Sequence, residues 1–322
     1  MTKKIFICRK IDSSGLAILE KTDGISFELN KRDRVLSKHE LIDKAKGADA
    51  IITLLTDKID AEIMDGIGNQ LKIIANYAVG FDNIDLEAAK QRHIIVTNTP
   101  EVMTQAVAEH AMALMLACAR RLIEGDRYVR AEKYKNWEPE LLIGPEIAGK
   151  TLGIVGIGRI GEALAHIGYH GFGMKILYND LNRNEEIERT LQADYASLKA
   201  LLEKSDFVSL HVPLNQSTHH LIKSRELALM KNEAVLVNTA RGAIIEEQAL
   251  VKALRENKIF AAGLDVFEFE KTPGRDLLKL ENVILTPHIA SATVEARRAM
   301  SECVSENVIE VLMGRPAKNP VE

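Results

Sequence analysis

The sequence predicts an α/β protein built as two doubly wound parallel-sheet domains. Three observations carry this expectation. Short β-branched runs alternate with helical patterns along the whole chain. The runs are apolar on both faces, as strands covered by helices on each side must be. They fall into two groups within 322 residues, a length that suits about two domains.

The first group is KKIFICR, ISFELN, ADAIITLL, LKIIANYAV and HIIVTNT. The second is TLGIVGI, MKILYND, DFVSLHVP, AVLVNTA, IFAAGLDVF and NVILTPH. Hydrophobic residues make up 46% and charged residues 27%, enough for a sizeable core in each domain. The net charge is −4 and the Lys and Arg residues are scattered, which argues against a nucleic-acid surface. The opening MTKKIFICRKIDSSG lacks the length and small-residue cleavage site of a signal peptide, so residues 3–9 read as a first strand. The longest uncharged apolar helical run, residues 111–119, is too short for a membrane span of ~20 residues. Cys8, Cys118 and Cys303 are far apart and odd in number. They suggest neither a disulfide framework nor a metal site, and point to a reducing, cytoplasmic compartment.

Two helices stand out. The stretch NTPEVMTQAVAEHAMALMLACARRL reads as one, with Thr99 as its cap and Pro100 in its first position. It is apolar on almost every side through Ala119, so it should be buried against more than one neighbour, between domains or between subunits. The other is SATVEARRAMSECVSENVIEVLMGRP, where Met300, Val304, Val308, Val311 and Leu312 form one stripe. Gly314 and Pro316 end it. It follows the last strand, and a helix left over there can pack back onto the first sheet. The expected division is therefore a discontinuous first domain, residues 1–98 plus 291–322, and a second domain of residues 99–290.

The second domain opens on GIGRIG, with Gly156, Gly158 and Gly161 between a strand and a helix. The next strand runs into Asp180, the acidic residue that completes a Rossmann-type dinucleotide-binding arrangement. Gly156 permits the turn, Gly158 lets the backbone approach a pyrophosphate, and Gly161 lets helix and strand lie close. Asp180 should accept from the ribose hydroxyls and repel a 2′-phosphate, favouring NAD(H). Arg183, three residues on, is long enough to reach such a phosphate, which leaves NADP(H) open.

Ligands of parallel sheets bind beyond the carboxyl ends of the strands. Arg241, then a segment with Asp265, Glu268 and Glu270, then His288 follow three late strands. Arg can grip a carboxylate with two bonds and polarise the adjacent carbonyl. A carboxylate can orient and stabilise an imidazolium. His can supply the proton that a ketone oxygen takes up after hydride transfer. Together they describe 2-keto acid reduction. Other histidines read as structural: His166 and His170 on a solvated helix face, His219 and His220 in a polar surface loop, and His110 buried and satisfied within its helix.

At this point the chain resembles the D-isomer-specific 2-hydroxyacid dehydrogenases over nearly its whole length. The motifs are NYAVGFDNID, GIVGIGRIG, HVPLNQSTHHLI, VNTARGAIIEEQAL, AAGLDVFEFE and TPHIASAT, in that order. GEALAHIGYHGFGMKILYN and HIASAT make it most similar to the glyoxylate/hydroxypyruvate reductase and 2-ketogluconate reductase branch. The resemblance implies a Rossmann-type cofactor domain and a flavodoxin-like substrate domain with a cleft between them. It implies Arg241 as substrate-binding Arg, Glu270 as the carboxylate partner and His288 as acid/base. It implies that Val79 and Gly80 hold the substrate carboxylate. It places Arg159, Ile160, His211, Pro213, Thr218, Thr239 and Asp265 with the glycines and Asp180 at the cofactor. It further implies a homodimer joined through the cofactor domain.

The chain departs from the family pattern after Glu270. A Pro usually follows directly, whereas here Lys271 does, with Pro273 further on. Relatives that use NADPH often carry basic or neutral residues where this chain has NDLN. Trp137 lies where some relatives reach toward a neighbouring subunit's site, and a packing anchor is the other reading. Glyoxylate or hydroxypyruvate is the expected kind of substrate. The alternatives are a reductase of larger 2-keto acids, decided by walls near Leu55, Tyr77 and Met103, and an NAD(H)-sensing protein without significant turnover.

Overall fold

The computed structural model describes residues 2–32, 34–269 and 273–321. The chain forms two compact units, residues 1–103 with 292–322 and residues 104–291.

The first unit carries a five-stranded parallel sheet of order β2-β1-β3-β4-β5. Its strands are β1 Lys3–Ile7, β2 Ile25–Leu29, β3 Ala50–Thr53, β4 Ile73–Asn76 and β5 Ile95–Thr97. This is the flavodoxin-like order, with its switch point between β1 and β3. The central β3 and β4 are buried along their whole length, whereas ISFEL in β2 alternates between half-buried and exposed, as an edge strand should. The Val294–Leu312 helix covers one face. Its Met300, Val304, Val308, Val311 and Leu312 are buried in one cluster with Ile5, Ile7, Ile52 and Ile73. Thr293 caps it by accepting from Ala296 N at 3.1 Å.

The second unit carries a seven-stranded parallel sheet of order β12-β11-β10-β9-β6-β7-β8. The strands are β6 Thr151–Val155, β7 Lys175–Asn179, β8 Asp194–Tyr195, β9 Phe207–Leu210, β10 Val235–Asn238, β11 Ala261–Leu264 and β12 Val283–Leu285. β8 is absent from the sequence reading. At two exposed residues it is too short for any periodicity to reveal. The Thr104–Ala119 helix lies in the core of this unit, with Met112, Leu114, Met115 and Cys118 clustered with Leu152, Phe207, Val235 and Val237.

The start of that helix corrects an expectation. Thr99 does not cap it, and Pro100 is not its first residue. Glu101 takes a left-handed φ of 69°, and Val102 N donates to Pro100 O at 2.8 Å. The chain therefore turns tightly before the helix begins at Thr104, and the Thr99 hydroxyl is buried with no partner among the described residues. Among the described residues no helix is long and apolar enough to cross a membrane.

Candidate active site

The strand order of the second unit reverses between β6 and β9, and the glycine loop sits at that point. Gly156 follows β6 with φ of 93°, and a Cβ there would lie 2.8 Å from the His211 carbonyl carbon beyond β9. Gly158 starts the Arg159–Phe172 helix without a side-chain cap, the kind of helix start that suits an anion. Arg159 and Ile160 are that helix's first residues. A Cβ on Gly161 would lie 2.2 Å from Gly156 O, which leaves no room for a side chain. Gly161→Ala should therefore weaken NADH binding at least about tenfold by displacing the loop. A fluorescence titration that gives unchanged affinity would contradict this.

Asp180, just past β7, ties the two strand ends together. Its Oδ2 accepts from Ile157 N at 2.7 Å and its Oδ1 from Leu181 N at 2.6 Å. Burial pushes the His211 pKa down to about 4, so its imidazole is neutral at ordinary pH, and Nε2 meets Ser209 Oγ at 2.8 Å. Thr218 Oγ1 donates to Pro213 O at 2.5 Å and accepts from Asn215 N at 2.9 Å, which shapes the polar loop after β9. The Thr239 hydroxyl is buried with no partner among the described residues. An uncapped helix N-terminus, a glycine cradle, an acid at the next strand end and an orphan hydroxyl all fit an NAD-type dinucleotide.

Arg241, Asp265 and His288 follow β10, β11 and β12, three neighbouring parallel strands, and so share one sheet edge. Asn238 braces the turn before Arg241: its side chain accepts from Ala240 N at 3.0 Å and donates to Arg241 O at 2.9 Å. Arg241 Nη1 donates to Ala240 O at 2.8 Å. His288 has a left-handed φ of 56°. Asp265 holds its loop there. Its carboxylate accepts from Thr286 Oγ1 at 2.6 Å, Ile289 N at 2.9 Å and Ala290 N at 2.8 Å, and its own carbonyl accepts from His288 N at 2.9 Å. The Asp265 side chain was expected at the cofactor; it is fully enclosed, and this loop occupies its oxygens. Burial raises its pKa, but hydrogen bonds from His110, Thr286, Ile289 and Ala290 outweigh that and hold it below the usual carboxylate range.

Glu270 and Lys271 lie outside the described residues. Their neighbours are anchored. Glu268 takes His220 Nε2 at 2.6 Å on one oxygen and Glu247 N at 2.9 Å on the other. Gly274 N donates to Glu247 Oε1 at 2.9 Å. His220, read as a surface residue of a polar loop, is half-buried and also fastens that loop to the segment before Glu270.

In the first unit, Val79 and Gly80 lie in the loop after β4. Asn98 Nδ2 donates to Val79 O and Asn76 Nδ2 to Gly80 O, each at 2.8 Å. With those carbonyls tied down, neither residue's N–H is taken by a backbone carbonyl among the described residues. Asn83 completes the support by donating to Leu54 O at 3.1 Å and Asp57 O at 3.0 Å.

Residues 112–290 match the family described as D-isomer specific 2-hydroxyacid dehydrogenase, NAD binding domain. The chain belongs to this family. A glyoxylate reductase of Thermococcus litoralis is 48% identical to the dehydrogenase, over all of this chain and 97% of that one. One of Korarchaeum cryptofilum is 49% identical, over 100% and 96%. The crystal structure of an NADPH-dependent glyoxylate/hydroxypyruvate reductase from Sinorhizobium meliloti, in complex with NADP and malonate, superposes with a TM-score of 0.87. It is 31% identical, over 100% of this chain and 97% of that one.

Some supporting residues of the dehydrogenase went unread in the sequence. His110 was read as satisfied, and its Nε2 meets Thr286 Oγ1 at 3.0 Å. Because the Thr286 hydroxyl donates to Asp265, His110 Nε2 must carry the proton in that bond. Asn76, Asn83 and Asn98 were visible only as parts of quoted motifs. Trp137 is 80% exposed, so it is no packing anchor within its own chain.

Proposed function

We propose that the dehydrogenase reduces small 2-keto acids, of the glyoxylate and hydroxypyruvate kind, to D-2-hydroxy acids with NAD(H). The observation that carries this reading is the meeting of Arg241 and His288 at one sheet edge, on the same unit as the glycine loop and Asp180. When bound, the nicotinamide supplies the hydride. Arg241 grips the substrate carboxylate and polarises the neighbouring carbonyl. Val79 and Gly80, in the first unit, are assigned to substrate binding on the family's pattern. His288 holds a proton on its imidazole and delivers it to the oxygen left by hydride addition. Glu270 is assigned as its carboxylate partner on the family's pattern. Gly156, Gly158, Arg159, Ile160, Gly161, Asp180, His211, Pro213, Thr218 and Thr239 are assigned to the cofactor, and Asp265 to holding the His288 loop. Asp180 favours NAD(H), and the NADPH-dependent relative makes NADP(H) the second donor to test.

Arg241→Ala should raise the KM for the keto acid at least about tenfold while the Kd for NADH stays the same. Loss of NADH binding would place Arg241 elsewhere. Reduction of hydroxypyruvate should yield D-glycerate by chiral chromatography, and L-glycerate would contradict the assignment.

A homodimer fits one feature of the second unit. The Leu122–Arg130 helix buries no residue, and Leu122, Val129, Tyr134, Trp137 and Ile143 nearby are all exposed. A second copy of the chain would cover them. Light scattering should give twice the 35.7 kDa chain mass, and Val129→Asp should halve it. A monomeric wild type would overturn this. Three widely spaced cysteines, odd in number, support a reducing, cytoplasmic setting.

A further inference from the structure

Arg183 stands three residues after Asp180, the acid assigned to the ribose. The structure shows how it is held. Arg183 Nε and Nη2 donate to Glu188 Oε1 and Oε2 at 3.0 and 2.6 Å, a two-bond fork. The guanidinium also lies 5.8 Å over the Tyr195 ring. Glu188 is itself fixed from the core side, because Tyr178 OH donates to its Oε1 at 2.5 Å and the Tyr178 ring is fully buried. That hydroxyl in turn accepts from Asn184 N at 2.8 Å, and Tyr195 OH donates to Asp180 O at 3.1 Å. The loop that carries both Asp180 and Arg183 is thus braced at its two ends by a pair of tyrosines.

We infer that Glu188 is a positioning residue for cofactor choice: by clamping and neutralising Arg183, it withholds from a 2′-phosphate the one cation that follows Asp180 closely in this loop. The inference rests on the assignment of the dinucleotide to this sheet edge. Asp180 repels the phosphate directly, and Glu188 removes the charge that could compensate. A guanidinium already engaged through two charge-assisted bonds must break them before it can grip a phosphate. Exchange of one anionic partner for another then brings little net gain.

The test is a set of equilibrium titrations of NADH and NADPH, read by dinucleotide fluorescence. Glu188→Gln keeps the side-chain size and can still accept from Tyr178, but loses the charge that holds Arg183. Its Kd for NADPH should fall at least about tenfold, with the Kd for NADH within about twofold of wild type. Adding Arg183→Ala to it should abolish the gain. An unchanged NADPH affinity in Glu188→Gln, or a gain that survives removal of Arg183, would overturn the inference. Arg183→Ala alone gives an independent check that does not depend on the Glu188 variant folding. It should leave NADPH affinity unchanged, and weaker binding would show that Arg183 already reaches the phosphate. If the wild type binds neither dinucleotide, the cofactor assignment itself fails. If it binds NADH and the variants do not respond as stated, only the role of Glu188 fails.

Discussion

His288→Ala is expected to lower kcat at least about 10²-fold, with the Kd for NADH unchanged. The residue follows β12 on a loop whose backbone is set by Asp265, and its left-handed φ is held there by bonds from two directions. In keto-acid reduction it gives the proton that the new alkoxide needs, and in the reverse direction it takes one back. Alanine removes the donor without touching the glycine loop or Asp180, so binding and chemistry should separate. Stopped-flow measurement of NADH oxidation, together with a fluorescence titration, checks both parts. A variant with near-normal turnover would remove His288 from the mechanism.

Asp265→Ala is expected to cost both stability and turnover. The carboxylate is fully enclosed and accepts from one hydroxyl and two backbone N–H groups. Removing it leaves those donors unmet in a place water does not reach, which costs on the order of 3 kcal/mol. For a unit of this size that corresponds to a fall in Tm of roughly 6–12 °C. The His288 loop loses its anchor at the same time, so kcat should fall even where the protein remains folded. The sign of the pH dependence follows from the lowered pKa. The stabilisation from Asp265 is fully present above the unfolded carboxylate value of about 4 and is lost as the pH falls through the lower folded value. Thermal melts of wild type and variant should therefore converge in acid. Equal Tm values for the two at neutral pH would contradict the anchoring role.

Two parts of this account were legible in the sequence for local reasons. The parallel strands announce themselves by apolar runs, because both faces of each sheet are covered. The glycine loop is readable because its chemistry is confined to a few consecutive residues: a Cβ at position 161 has no room, and the helix that follows needs an uncapped start. Asp180 came with it through its fixed spacing. What could not be read depends on side chains that meet only after folding. His110 and Thr286 are 176 residues apart, and nothing in either helical or strand periodicity pairs them. The bond between His220 and Glu268, 48 residues apart, was likewise invisible, so the histidine's role in fastening two loops went unread. The clamp on Arg183 lies within five residues, yet Glu188 is one of three acids that open its helix and only the fold picks it out. At Thr99 the local signal misled. Thr-Pro is a sound helix start, but Glu101 turns the chain before the helix begins.

The most direct measurement is the loss of absorbance at 340 nm with NADH, across 2-keto acids from glyoxylate and hydroxypyruvate through 2-ketoisocaproate to 2-ketogluconate. The account predicts turnover, with the highest kcat/KM for glyoxylate or hydroxypyruvate and a lower value when NADPH replaces NADH. A ranking led by 2-ketogluconate or 2-ketoisocaproate would contradict the substrate class. Negligible turnover across the whole series, with NADH still bound in a separate titration, would contradict the enzyme itself and point to a protein that only senses the cofactor.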